Sequence, residues 1–326
     1  MKRSRANPFD YLFLVRPTLL IPVWTFLLLG YYWGMRTAEF GVRNADWGVG
    51  YSSFRIPPST FLWAFLLYSA LMSGVYILNQ VLDRETDRMN QKLFLLSERV
   101  IPVKFALMEM GLLFLIALTL SISMFHFTLF TAFVFLSLVM GILYSVPPIK
   151  IKGRPFLDLL WNSMGFGLVS FSVGWLTVSP FSLATVYHSI PYVLSVGAVF
   201  LNTTIPDISG DEKAGDKTTG VLLGRRRTAA LGTLFLLFAL LTSFLIRDSI
   251  CFIAALFALP PFLLALKKEE MRFYLLSIRI GAPLLVLLTI YLYPFYLLLL
   301  VLTYFSMRIY YQKRFHLAYP SLFNKK

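Results

Sequence analysis

Long apolar runs alternate with short polar stretches along the whole chain. A helix needs about 20 apolar residues to cross about 30 Å of hydrocarbon, and runs near that length recur. They predict membrane spans at 18–34, 60–80, 102–122, 127–146, 157–178, 186–206, 228–246, 250–266 and 283–306. The reading is therefore all-α: a polytopic membrane protein with nine transmembrane helices. It treats residues 1–326 as one domain, with residues 1–15 on the cytoplasmic side and a polar tail at 308–326. The stretch 35–58 reads as a long Gly- and Trp-containing loop, and the first span, with no small-residue cleavage site after it, reads as retained.

Charge assigns the sides. The stretch after span two carries Arg84, Arg88, Lys92, Arg99 and Lys104. That after span four carries Lys150, Lys152 and Arg154, and that after span six carries Lys213, Lys217 and Arg225 to Arg227. Parity puts all three on one side, and the loops after spans three and five hold no Lys or Arg. The positive-inside rule makes the basic side cytoplasmic. Nine spans leave the basic tail, with Lys313 and Arg314, on the other side, against the rule; a split near Pro294 is the alternative. Hydrophobic residues make up 58% of the chain, well above the share in soluble domains. The net charge of +14 thus belongs to membrane topology and not to nucleic acid, for which no motif is present. The sole cysteine, Cys251, lies in an apolar run and reads as packing.

Two acidic motifs interrupt this pattern. NQVLDRETD closes span two and DISGDEKAGD closes span six. A four-residue step turns a helix by about 40° and rises about 6 Å, so Asn79, Asp83 and Asp87 share one face, as do Asp207 and Asp211. Like charges so placed repel. A divalent cation turns that cost into a gain, and oxygen ligands without His or Cys suit Mg²⁺, which fills its remaining positions with water and phosphate oxygens. Four carboxylates match two Mg²⁺ ions, and the basic rim of Arg16, Arg88, Lys92, Lys150, Lys152 and Lys217 suits a diphosphate. Asp10, Asp158 and Glu269 read as solvated loop residues, His126, His188 and His316 as packing, and the tryptophans as core and interfacial belt.

These motifs resemble the UbiA superfamily of intramembrane prenyltransferases. NQVLDRETD is similar to its first signature and DISGDEKAGDKTT to its second, with Gly215, Lys217 and Thr218 in step. YSVPPIKIKG and RPTLLIPVW resemble its Tyr-Ser-x-Pro-Pro segment and its first-span opening. The resemblance covers residues 16–219 and implies nine helices bundled around a central cavity with a cytoplasmic cap, which transfer a prenyl group from a prenyl diphosphate to an acceptor. It implies Mg²⁺ ligands at Asn79, Asp83, Asp87, Asp207 and Asp211. Diphosphate contacts are implied at Arg16, Lys150 or Lys152, and Lys217, with Tyr144 facing the allylic carbon. The sequence departs from many members at Phe94, where they carry arginine. Members acting on homogentisate share that departure and the initial Asn-Gln, which favours a phenolic or quinone-precursor acceptor. A glycerol-phosphate ether lipid, chlorophyllide or haem is the other acceptor reading. A cation- or proton-coupled transporter would place its carboxylates in mid-span, and a lipid head-group phosphotransferase would carry a D-G-x-x-A-R run that DRETDR lacks.

Overall fold

The computed structural model describes residues 6–44, 58–89, 94–317 and 319–320. Among them every regular element is helical. Asn7 and Asp10 exchange side-chain and backbone hydrogen bonds in a capping box that starts helix α1, Pro8–Leu14. Arg16, with φ 55°, breaks the chain, and Pro17 opens α2, Pro17–Asn44. Then follow α3 (Pro58–Leu82), two short helices α4 (Arg84–Met89) and α5 (Phe94–Ser97), α6 (Val103–Phe125) and α7 (Leu129–Ser145). Helix α8 (Leu157–Met164) continues through a π-turn at Gly165–Ser170 into α9 (Phe171–Trp175). Beyond lie α10 (Leu183–Thr204), α11 (Ile208–Ala214), α12 (Thr219–Leu245), α13 (Ser249–Lys268), α14 (Met271–Leu292) and α15 (Phe295–Phe315).

Seven of these helices are long and apolar enough to cross a membrane, and Leu129–Ser145 is a shorter apolar helix. Their outward faces carry Leu and Phe side chains exposed from the protein, as on α6, whose most apolar stretch is only 17% buried. A helix with an apolar exterior has lipid for its solvent, and the chain is an integral membrane protein.

Helix ends correct the span reading. Helix α2 runs ten residues past 34, into the stretch read as loop; the rest of that loop, 45–57, lies outside the described residues. Thr218 caps a first turn of α12 at Thr219 by accepting from the Val221 N–H at 3.3 Å, but Gly224, at φ 71° and ψ 169°, breaks the helix, so its unbroken part begins beyond Gly224, near the 228 expected. The larger correction is at the C-terminus. The span at 283–306 is two helices, broken at Tyr293 and Pro294. Helix α14 begins with Tyr274 packed near Ile205 and Ala229, and its Leu285 reaches the cluster of Phe26, Leu29 and Trp33. Helix α15 starts with Tyr296 against Trp24 and Leu28 and returns to Phe13 and Leu14. It ends on the N-terminal side, where Arg314 Nη2 meets Asp10 Oδ2 at 3.0 Å and the Tyr310 hydroxyl donates to Asp10 Oδ1 at 2.6 Å. Lys313 and Arg314 thus end beside α1, on the side of the other basic stretches, which removes the conflict with the basic tail. This return also makes Asp10 a fully buried ion-pair partner, not a solvated loop residue.

Close backbone approach fixes the centre of the bundle. A Cβ on Gly30 of α2 would lie 1.8 Å from the Phe171 carbonyl oxygen of α9, and one on Gly174 would lie 2.0 Å from the Leu27 carbonyl oxygen. Small residues on both helices permit that crossing. Around it pack Val23, Leu27, Leu67, Tyr68, Phe130 and Val173.

Candidate active site

The first acidic motif spans a bend at Asp83, where α3 ends and α4 begins, and not one straight helix. The Asp83 N–H donates to the Asn79 carbonyl at 2.9 Å and the Asp87 N–H to the Asp83 carbonyl at 2.8 Å, i to i−4 bonds that carry the chain across the bend. Asn79 and Asp83 are partly buried, and Asn79 donates to Ser145 Oγ at 3.4 Å. Arg88 is exposed at the end of α4, and Lys92 lies outside the described residues. In the second motif Asp207 ends a 3₁₀ turn, Ile205–Asp207, and is exposed, while Asp211 is partly buried in α11 and accepts from Thr218 Oγ1 at 3.2 Å. Gly215, at φ 77°, ends α11 in the left-handed conformation that glycine adopts without strain.

The loop between α7 and α8 joins the two motifs. Lys152 makes an ion pair with Asp83. Lys150 pairs with Asp216 at 2.6 Å, and the Lys217 N–H donates to the Gly153 carbonyl at 3.2 Å. The three basic stretches therefore share one face of the bundle, as charge parity requires. Lys217 itself is exposed. Beneath this loop Asp158 is 1% exposed. It accepts from the Thr219 N–H at 2.8 Å and from the Thr219 hydroxyl, while the Thr219 Oγ1 accepts from the Phe156 N–H at 2.7 Å. A residue read as solvated thus ties the start of α8 to the start of α12. Glu269 is exposed, as read, and pairs with Arg226 at 3.1 Å.

Arg16 sits in the α1–α2 break, and its Nε is buried without a hydrogen-bond partner among the described residues. A buried guanidinium nitrogen lacking an acceptor suits an anion. Below the loop an apolar cavity runs between α3, α7 and the α8–π-turn run, with Asn79 and Tyr144 at its upper end. The Tyr144 hydroxyl accepts from Asn162 Nδ2 at 3.1 Å and lies within Coulombic range of Asp158, Asp83 and Asp211. Trp161, read as belt, lines this cavity and donates to the Met140 carbonyl at 2.9 Å. His188 stacks on Trp33 at 4.4 Å, the packing role expected of it.

No three His, Cys, Asp or Glu side chains gather at one point among the described residues. That is not the pattern of a closed zinc site. Sequence reasoning missed Ser145, Asp158, Asn162, Asp216 and Thr219. Asp216 and Thr219 lie inside the quoted segment DISGDEKAGDKTT, and Ser145 inside YSVPPIKIKG, and that placement was the signal available for them.

Known proteins resemble this chain in sequence and in fold. A family model described as the UbiA prenyltransferase family matches residues 45–273. The 2-acyl-4-prenylphloroglucinol 6-prenyltransferase of Humulus lupulus is 29% identical over 196 residues, 55% of this chain and 48% of that protein. The chain therefore spans about half the length of that relative. The digeranylgeranylglyceryl phosphate synthase of Methanothrix thermoacetophila is 28% identical over 62% of this chain and 75% of its own. Among solved structures, a UbiA homolog from Archaeoglobus fulgidus bound to GPP and Mg²⁺ matches with a TM-score of 0.57 and 18% identity, over 85% of this chain and 99% of that one.

Proposed function

The chain belongs to the UbiA prenyltransferase family, and from that premise we propose that it transfers a prenyl group from a prenyl diphosphate to a lipophilic or aromatic acceptor within the membrane. A phenolic or quinone-precursor acceptor is the favoured class, and a glycerol-phosphate lipid the second. The observation that carries the reading is the clamp above the cavity. Lys152 on Asp83 and Lys150 on Asp216 draw the two acidic motifs to opposite sides of one basic loop, directly over an apolar cavity headed by Asn79 and Tyr144. A charged head and a hydrocarbon tail find their own environments at that one place.

In this reading Asn79, Asp83 and Asp87 hold one Mg²⁺ ion, and Asp207 and Asp211 hold another. When bound, the ions supply Lewis-acid stabilisation of the diphosphate oxygens. The protein's own groups do the rest. Arg16, Lys150, Lys152 and Lys217 complement the charge of the leaving diphosphate, and Arg88 and Lys92 add to the rim. The carbon–oxygen bond breaks, the electron pair leaves with the diphosphate, and positive charge develops on the allylic carbon. Asn162 fixes the orientation of the Tyr144 hydroxyl, and an aromatic face stabilises an adjacent cation. The acceptor then forms a bond to that carbon and gives up a proton. Apolar walls keep water from the cation. The acidic motifs face the cytoplasm in this reading, since the basic stretches lie with them.

The direct test is diphosphate release by the purified protein with Mg²⁺, a labelled allylic diphosphate and a panel of phenolic, naphthoate and glycerol-phosphate acceptors. A prenylated product, absent with Asp83→Asn, is the expected result. Failure of any allylic diphosphate to bind in the presence of Mg²⁺ rejects the reading.

A further inference from the structure

Resting on the prenyl-donor reading above, we propose that Tyr68 sets the length of tail the donor site accepts. The cavity that opens at Asn79 and Tyr144 ends at Tyr68. This side chain is 1% exposed. Its hydroxyl lies 2.9 Å from Ser137 Oγ on α7 and 3.0 Å from Ser170 Oγ at the end of the π-turn. One ring on α3 is thus tied to both other walls. The π-turn supplies the second tie, because Ser170 is anchored in turn by donating to the Gly165 carbonyl, five residues back, at 2.9 Å. The residues about one turn beyond Tyr68 do not line the cavity. About one turn further along each of the three walls stand Ala64, Val134 and Val173, all 0% exposed and packed in the same cluster as Tyr68.

Helix geometry converts the residue spacing into a length. From Asn79 to Tyr68 along α3 is about 16 Å, and from Tyr144 to Ser137 along α7 about 10 Å, at about 1.5 Å per residue. An isoprene unit adds four chain bonds, about 5 Å when extended with carbon–carbon bonds of about 1.5 Å. The length between head and floor therefore caps the tail at about two to three units, a geranyl or farnesyl tail, and the open volume of about 110 Å³ leaves no room for more. A longer tail has to displace a ring held by two hydrogen bonds.

Gly165 offers an independent handle on the opposite wall. It has ordinary helical angles, φ −59° and ψ −46°. An added Cβ there meets only Met140 Cε, at 3.7 Å, an ordinary contact. The site tolerates a side chain, and a larger one reaches into the cavity above Tyr68.

The test uses binding rather than turnover, so that it does not depend on the acceptor. Unreactive thiolodiphosphate analogues with dimethylallyl, geranyl, farnesyl, geranylgeranyl and octaprenyl tails are titrated with Mg²⁺ into the full chain in detergent. Wild type tightens up to geranyl or farnesyl and weakens at least tenfold at geranylgeranyl. Tyr68→Ala moves the optimum about one unit longer, and Gly165→Leu about one unit shorter. If Tyr68→Ala does not fold, Tyr68→Leu, smaller and without the two hydrogen bonds, takes its place. Equal affinity for all tails from geranyl to octaprenyl in wild type, or an unchanged length profile in the folded Tyr68 variant, overturns the proposal while leaving the donor site standing. No binding of any analogue with Mg²⁺ overturns the donor reading itself.

Discussion

Asp83 and Asp211 stand on opposite sides of the basic loop, one paired with Lys152 and the other accepting from Thr218. Neither side chain is fully buried, so removing it costs little packing. Asp83→Ala or Asp211→Ala is expected to lower turnover at least 10³-fold, on the scale of losing a preorganised electrostatic group. The melting temperature in detergent stays within a few degrees; near-wild-type diphosphate release by either variant would refute the metal assignment. Asp158 behaves in the opposite way. It accepts from Thr219 twice and from the Leu159 N–H at 2.8 Å while almost wholly buried. Asp158→Ala leaves those donors without an acceptor and is expected to cost about 2–4 kcal/mol, read as a lower melting temperature, with Asp158→Asn recovering part of it.

At the scale of the element, the α2–α9 crossing depends on two positions without side chains. Gly174→Val is expected to break it, because a Cβ there overlaps the Leu27 carbonyl, a backbone atom with no freedom to move aside. The loss of folded protein on size-exclusion chromatography checks this. Gly111 of α6 is the control: a Cβ there meets nothing within 4 Å. Gly111→Ala should be neutral or stabilising by about 0.5–1 kcal/mol, from helix propensity alone. The same scale explains the displaced helix ends. Lipid-facing stretches announce themselves by composition, but the short turn that Thr218 caps at the start of α12 lies before a break at Gly224 and outside the apolar run. Hydropathy cannot see a cap.

The molecule as a whole is closed by its two ends. Arg314 and Tyr310 of the last helix hold Asp10 of the first, and Gln80 of α3 donates to the Leu14 carbonyl beside it at 2.8 Å. Burial raises the pKa of the Asp10 carboxyl, but the hydrogen bonds from Arg314, Tyr310 and Asn7 outweigh it and hold it below the ordinary carboxylate value. A carboxylate with a depressed folded pKa contributes stability above its unfolded pKa and loses it as pH falls through the folded one. The melting temperature should therefore hold at neutral pH and drop from about pH 4 downward. Asp10→Asn should be less stable at pH 7, by about 3 kcal/mol for a broken buried pair, and should lose less on acidification. A wild-type profile that matches that of Asp10→Asn throughout would show that the clasp contributes nothing.

Membrane helices and the two acidic motifs were legible in the chain itself, because both depend on nearest neighbours in sequence. Lipid selects runs of apolar residues, and helical repeat alone spaces Asn79, Asp83 and Asp87 about one turn apart. Charge asymmetry likewise placed the three basic stretches on one side before any contact was known. What lay beyond reach was every pairing between distant segments: which lysine meets Asp83, that Asp158 is buried under Thr219, that Tyr68 crosses to Ser137 and Ser170. Asp10 and Asp158 have the composition of solvated loop ends, and only their partners from residues 310–314 and 219 bury them. The return of the last helix was undecidable for the same reason. Hydropathy reads Tyr293–Pro294 as a minor interruption, and the side on which α15 ends is set by the carboxylate that receives its arginine.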